Sequence, residues 1–243
     1  MKQLIPILIL GLCVSFSYGQ NEAPEIPLKI IPEYHFNLSY TTVLEDDIQH
    51  AEIGLNKDLI NVLDNKLRLG LGVRVGIQDN QNISFTSAHA SIKKNEEHRD
   101  TLFHGRVQSA AFNFYFNGEY HLSKHISFGL NLDLLGISTG SKTDADYKPG
   151  VTSQNNLYYP IDEVESVSTA ANAFSLGNSK GCLNAQVYAK VALSRKVAFR
   201  LGAAYLFQEF STTEGYGAFN SYRYEYNTVG IFAGFTFNRF NEK

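Results

Sequence analysis

Apolar residues occupy every second position from Leu67 to Ile77 (Leu67, Leu69, Leu71, Val73, Val75 and Ile77), with Arg68, Gly70, Gly72, Arg74 and Gly76 between them. A period of two is that of a β-strand, whose successive side chains point to opposite faces, so this segment has one aliphatic face and one made of arginine and glycine. The same code recurs along the chain and predicts eight strands, over 33–44, 48–58, 66–78, 107–121, 125–138, 181–193, 197–210 and 222–240. Residues 59–63 fit neither strand nor turn cleanly. The aliphatic sets include Ile53 and Leu55, Ile126 through Leu134, Val187 and Val191, Leu201, and Val229 through Phe237. Facing them are Glu52, Asn113, Asn117, Asn131, Asp133, Asn184, Gln186, Lys190 and Arg200.

Two architectures put such strands in a ring. In a soluble calyx of the lipocalin kind the aliphatic face lines the interior and the arginines meet water. In a transmembrane barrel the aliphatic face meets lipid and the polar face fills the lumen. Connection lengths favour the second, because short turns near 62, 123 and 195 alternate with long polar stretches at 79–106, 139–180 and 211–221, the stretch near 46 being brief. The expected fold is therefore an all-β, eight-stranded antiparallel up-and-down transmembrane β-barrel, with both termini on the short-turn side. Mean hydropathy of −0.19 is no objection, since alternation cancels along each strand.

The N-terminus agrees with export. Lys2 is followed by an apolar run from Leu4 to Phe16 and then by Ser17, Tyr18 and Gly19, with small residues at the two positions that a signal peptidase reads. Residues 1–19 read as a signal peptide and 20–243 as one outer-membrane barrel domain starting at Gln20, because a run this short does not reach the roughly 20 residues of a spanning helix. A lipid-modified Cys13 is the alternative, but Leu12 stands where a small residue belongs. Once Cys13 leaves, Cys182 is the one cysteine left, so no intramolecular disulfide holds the fold. Loss of Lys2 takes the formal charge from −3 to −4, with no basic excess of the kind that nucleic-acid binding needs.

With eight strands, the interior is just wide enough for side chains to fill, so no wide pore is expected. Isolated charges there would cost several kcal/mol each, which predicts an ion-pair network among Glu52, Arg68, Arg74, Glu119, Asp133, Lys190 and Arg200. Aromatic girdles are expected at the rims, from Phe112, Phe114, Phe116 and Tyr120 at one end and Tyr205, Phe207, Tyr222, Tyr224 and Tyr226 at the other.

On these patterns, and on the glycine-and-aromatic run from Thr228 to Phe240, the chain resembles the small eight-stranded outer-membrane β-barrels, the group that includes OmpX-like and OmpA-like transmembrane domains. The resemblance implies surrounding outer-membrane lipid, insertion by the barrel assembly machinery, and a structural, adhesive or surface-interaction role through an extracellular or envelope partner. It implies no cofactor and no enzyme activity. Some barrels of this size are lipid A deacylases, which this chain resembles only in His89-Ala90-Ser91, a spacing that could pair base and nucleophile but lies in a polar loop. Glu96, Glu97, His98, Asp100 and His104 gather metal-binding residue types without a ligand spacing, and read as a solvated charge run. Asp144-Ala145-Asp146 begins like a calcium loop, but Lys148 and Pro149 stand where a ligand and the turn glycine belong.

Overall fold

The computed structural model describes residues 34–43, 47–64, 66–87, 100–148, 159–164, 171–174, 181–216 and 221–239. It is all strand: β1 (Tyr34–Val43), β2 (Asp47–Val62), β3 (Leu67–Ser87), β4 (Thr101–His121), β5 (Ile126–Gly140), β6 (Thr143–Lys148), β7 (Tyr159–Val164), β8 (Ala171–Ala173), β9 (Leu183–Ala192), β10 (Val197–Tyr216) and β11 (Ser221–Arg239). Eight of these close an antiparallel ring in the order β1-β2-β3-β4-β5-β9-β10-β11, with β11 returning to β1 through pairs such as Phe36↔Phe237 and Tyr40↔Ala233. The signal segment, His89, Ser91, Glu96, Glu97 and His98 fall outside the described residues.

Local chemistry sets the turns at the end where β1 starts and β11 stops. Leu63 and Asp64 both take left-handed φ, at 52° and 53°, the backbone that matches a tight hairpin to strand twist. The other two turns share one device. Ser123 Oγ accepts the backbone N–H groups of His125 and Ile126, and Ser194 Oγ those of Lys196 and Val197, so Leu122-Ser-Lys-His and Leu193-Ser-Arg-Lys fold alike.

Faces follow the alternation. Leu71, Val75, Ile77, Leu130, Val187, Leu201 and Val229 stand outward, Leu71 at 50% and Ile77 at 61% exposure, whereas Arg74 is 4% exposed inside the ring. That orientation is the reverse of a calyx. At the turn end, Tyr34, Phe36, Tyr120, Phe128 and Phe237 form an outward aromatic ring. Phe112 and Phe114, expected at a rim, sit within the belt opposite Val75 and Val73.

At the other end the strands run well past the apolar belt, and much of what reads as loop is strand. β3 continues to Ser87, β4 begins at Thr101, and the stretch 139–180 contains β6, β7 and β8. Here the polarity code inverts. Inward positions on β3 run Arg74, Gln78, Asn80 and then Ile83 and Phe85; on β4 they run Asn113, Val107 and then His104 and Leu102. The step falls where Asn82, at φ 52°, stands between the pairs Gln81↔Arg106 and Ile83↔His104, across from Gly105. Asparagine tolerates left-handed φ and glycine carries no Cβ, so both strands shift face by one residue at the same height.

The short β1–β2 hairpin lets β3 and β11 meet above it, through Ser87↔Tyr224 and Thr86↔Glu225, while β6 extends the sheet from β4 and β7 lies against β10. This narrower upper ring encloses Val43, Ile48, Ile83, Phe85, Leu102, Val107, Ala145, Tyr147, Leu206, Phe210 and Tyr224. Tyr224, expected in a girdle, is buried in this core instead, because above the belt the apolar face turns inward; Phe207 is buried too, but on the outward face of β10, outside this core.

Candidate functional site: the lumen

The lumen is built in layers, each from inward positions of several strands. Nearest the turn end, His35 bonds Asp58 at 3.0 Å and Asn238 at 2.7 Å, and Arg68 reaches Asp58 at 3.5 Å. Across the same level, Lys190 donates to Glu119 at 2.5 Å and Ser127 Oγ donates to it at 2.8 Å.

Above lies a relay of side-chain amides. Thr236 Oγ1 donates to Asn37 Oδ1 (2.8 Å), Asn37 Nδ2 to Asn56 Oδ1 (2.6 Å), and Asn56 Nδ2 to Asn117 Oδ1 (3.4 Å). Asn117 Nδ2 then donates to Asn131 Oδ1 (2.7 Å), Asn131 Nδ2 to Gln186 Oε1 (2.9 Å), and Gln186 Nε2 to Glu52 Oε1 (2.7 Å). The relay visits β11, β1, β2, β4, β5 and β9 and ends on a carboxylate. Each amide both accepts and donates, so successive bonds polarise one another, and the negative end is where the donors point.

Glu52 belongs to the next layer. Arg74 Nε donates to Asp133 Oδ1 at 2.7 Å, its Nη1 lies 3.3 Å from Glu52 Oε2, and its other terminal nitrogen donates to the carbonyl of Asn184. Its guanidinium also lies 5.1 Å from the centre of the Tyr115 ring. Glu52 further accepts from Ser39 and Asn184, and Asp133 Oδ2 from Asn113 and the backbone of Asn184. Gly72 makes room for this packing, since a Cβ there would come 2.5 Å from Tyr115 Cζ. A last polar layer, Gln78, Asn80, Gln208 and Ser109, lies under the apolar core of the upper ring.

Of the seven residues expected in one network, the structure divides six into three groups: Glu52, Arg74 and Asp133; Glu119 and Lys190; and Arg68 with Asp58 at the more open turn end. Arg200 departs from the expectation. It is 1% exposed, with its guanidinium 5.3 Å from the Tyr188 ring centre and 5.8 Å from that of Phe232, and its Nε and one terminal nitrogen find no hydrogen-bond partner among the described residues. Two aromatic faces take the place of the carboxylate. Sequence reasoning missed Asp58, which follows Asn56 on the inward face just before an irregularity in β2, and the Asn and Gln relay, whose signal was the recurrence of amides at inward positions of five strands.

The two described members of the presumed charge run are structural. His104 bonds Thr143 Oγ1 at 3.0 Å and packs against Phe85 and Phe210, and Asp100 is buried near Tyr147. Among the described residues, no group of three or more His, Cys, Asp and Glu is arranged to hold a metal. Asp144 and Asp146 point outward from strand β6.

No protein-family model matches this chain, and no characterised protein matches it in sequence. Among solved structures it is similar to Neisserial surface protein A, with 9% identity, 85% of this chain and 94% of that chain covered, and a TM-score of 0.32. It is similar also to the CymD monoaromatic hydrocarbon channel (8% identity, 86% and 87% covered, TM-score 0.26) and to the Ralstonia pickettii toluene transporter TbuX (9%, 80% and 69%, 0.27). At such identities and TM-scores the likeness says nothing of this chain's role.

Proposed function

We propose that this chain is an integral outer-membrane β-barrel of structural or surface-interaction type, non-catalytic and closed to solutes, with its turn end in the periplasm and its upper ring outside the cell. The observation that carries the reading is the inversion at Asn82 and Gly105: apolar side chains face outward below it and inward above it. A wall that is apolar outside a polar lumen suits lipid, and a wall that is polar outside an apolar core suits water, so one strand pair crosses from one solvent to the other. The bonded layers and the apolar cap leave side chains, rather than an aqueous path, along the axis. Outer-membrane lipid surrounds the belt, the barrel assembly machinery inserts it, and the upper ring is the surface offered to a partner.

Two measurements test this. Purified protein in liposomes passes no small sugars or ions above the rate of empty vesicles; flux comparable to a porin refutes the closed lumen. On intact cells, a membrane-impermeant thiol reagent labels Ser141→Cys but not Arg195→Cys, while the buried Cys182 stays silent. Labelling of the second variant alone inverts the orientation, and recovery of the protein in buffer without detergent removes the membrane reading.

A further inference from the structure

Between the Glu52–Arg74–Asp133 cluster and the apolar cap lies a small cavity of about 20 Å³, whose lining includes His50, Arg74, Asp133, Asn184, Ala111 and Leu206. His50 is 8% exposed, seated over Gly76, where any side chain would strike its ring. Among the described residues neither of its ring nitrogens has a hydrogen-bond partner, Glu52 Oε2 lying 4.0 Å from Nε2, and Oδ1 of Asn184 has none either. Elsewhere in these layers the amides and carboxylates bond one another directly, whereas His50 and Asn184 line one space with unpartnered polar atoms. An unmade buried hydrogen bond leaves the desolvation of its donor or acceptor uncompensated, which makes a shared partner favourable.

Charge decides what that partner is. Two carboxylates, Glu52 and Asp133, face two guanidiniums, Arg74 and Arg200, the latter near enough to act on Glu52 through space. The layer is already neutral, so an ion of either sign would leave it uncompensated in a region from which solvent is excluded. Size narrows it further. A water needs at least about 10 to 15 Å³ of such space, so the cavity admits one and not two. We propose that this cavity is a binding site for a single internal water molecule, which donates to Asn184 Oδ1 and bonds one ring nitrogen of His50, joining the polar lumen to the base of the cap.

The test is nuclear magnetic resonance on the whole mature protein in lipid nanodiscs with ¹⁵N-labelled histidine. The expected result is a His50 ring N–H that shows a cross-peak to one long-lived water, and its loss in Ala111→Val, which places two methyl groups in the cavity while the other barrel resonances stay in position. Ring nitrogen shifts showing a bond to a protein group, or no bound water at His50 in the wild type, overturn the proposal whatever the variant does. So does a water signal that survives Ala111→Val; if that variant does not fold, Ala111→Ser, whose hydroxyl fills the same space, is expected to show the same loss.

Discussion

Replacing Arg74 by methionine tests the lumen at its most heavily bonded point. The substitution keeps much of the volume and removes the bond to Asp133 at 2.7 Å, the contact to Glu52 at 3.3 Å and the bond to the Asn184 carbonyl. Glu52 retains Ser39, Asn184 and Gln186, and Asp133 retains Asn113 and the Asn184 N–H, so neither carboxylate loses all its donors. What they lose is charge compensation. Asp133 is 1% exposed, and stripping one partner from a buried pair costs about 3 to 5 kcal/mol. The second half of the experiment is Arg74→Met with Asp133→Asn. Both donors to Asp133 arrive at Oδ2, so an asparagine carbonyl there keeps them, and Glu52 is left balanced by Arg200. The double variant is therefore expected to be more stable than the single one, with the two changes non-additive by at least about 1 kcal/mol. Urea unfolding in lipid vesicles, followed by tyrosine fluorescence and by gel mobility of the folded band, measures both. A single variant within about 1 kcal/mol of wild type, or strict additivity, would show that the cluster is solvated and the reasoning wrong.

Leu71→Arg, at a 50%-exposed position of the belt, is expected to cost about 2 to 4 kcal/mol of folding free energy in vesicles if residue 71 meets the bilayer midplane; unchanged folding refutes the outward assignment. Gly72→Ala pushes a methyl group against Tyr115 and should cost about 1 to 3 kcal/mol, read in the same unfolding assay, and an unchanged midpoint would mean that the ring yields freely. His104, in the upper ring above the membrane belt, is held at about 4, mainly by desolvation among Phe85 and Phe210, against an ordinary 6.5. The unfolded chain binds that proton first as pH falls, so stability is full above 6.5 and drops by about 3 kcal/mol on the way to about 4. The drop over that window is expected to shrink by this amount in His104→Phe, and an identical pH profile for variant and wild type would discount the histidine.

The period of two in the sequence was enough to fix the strand class, the number of strands in the ring and which side chains share a face, because pleating ties every residue to one face or the other. It also named charges that need one another, since side chains rather than bulk solvent fill a lumen of this width. Which charge meets which was not legible. Arg74 finds Asp133 because β3, β4 and β5 are staggered as they are, and Arg200 finds two rings instead of a carboxylate because its position in β10 faces Tyr188 and Phe232. The amide relay likewise needs six strands at one height. The upper ring was hidden for another reason: a one-residue slip at Asn82 and Gly105 breaks the alternation that marks a strand, so Ile83, Phe85, Leu102 and His104 read as loop. Sequence carries the local alternation, while register and closure, which bring together residues far apart in the chain, belong to the tertiary structure alone.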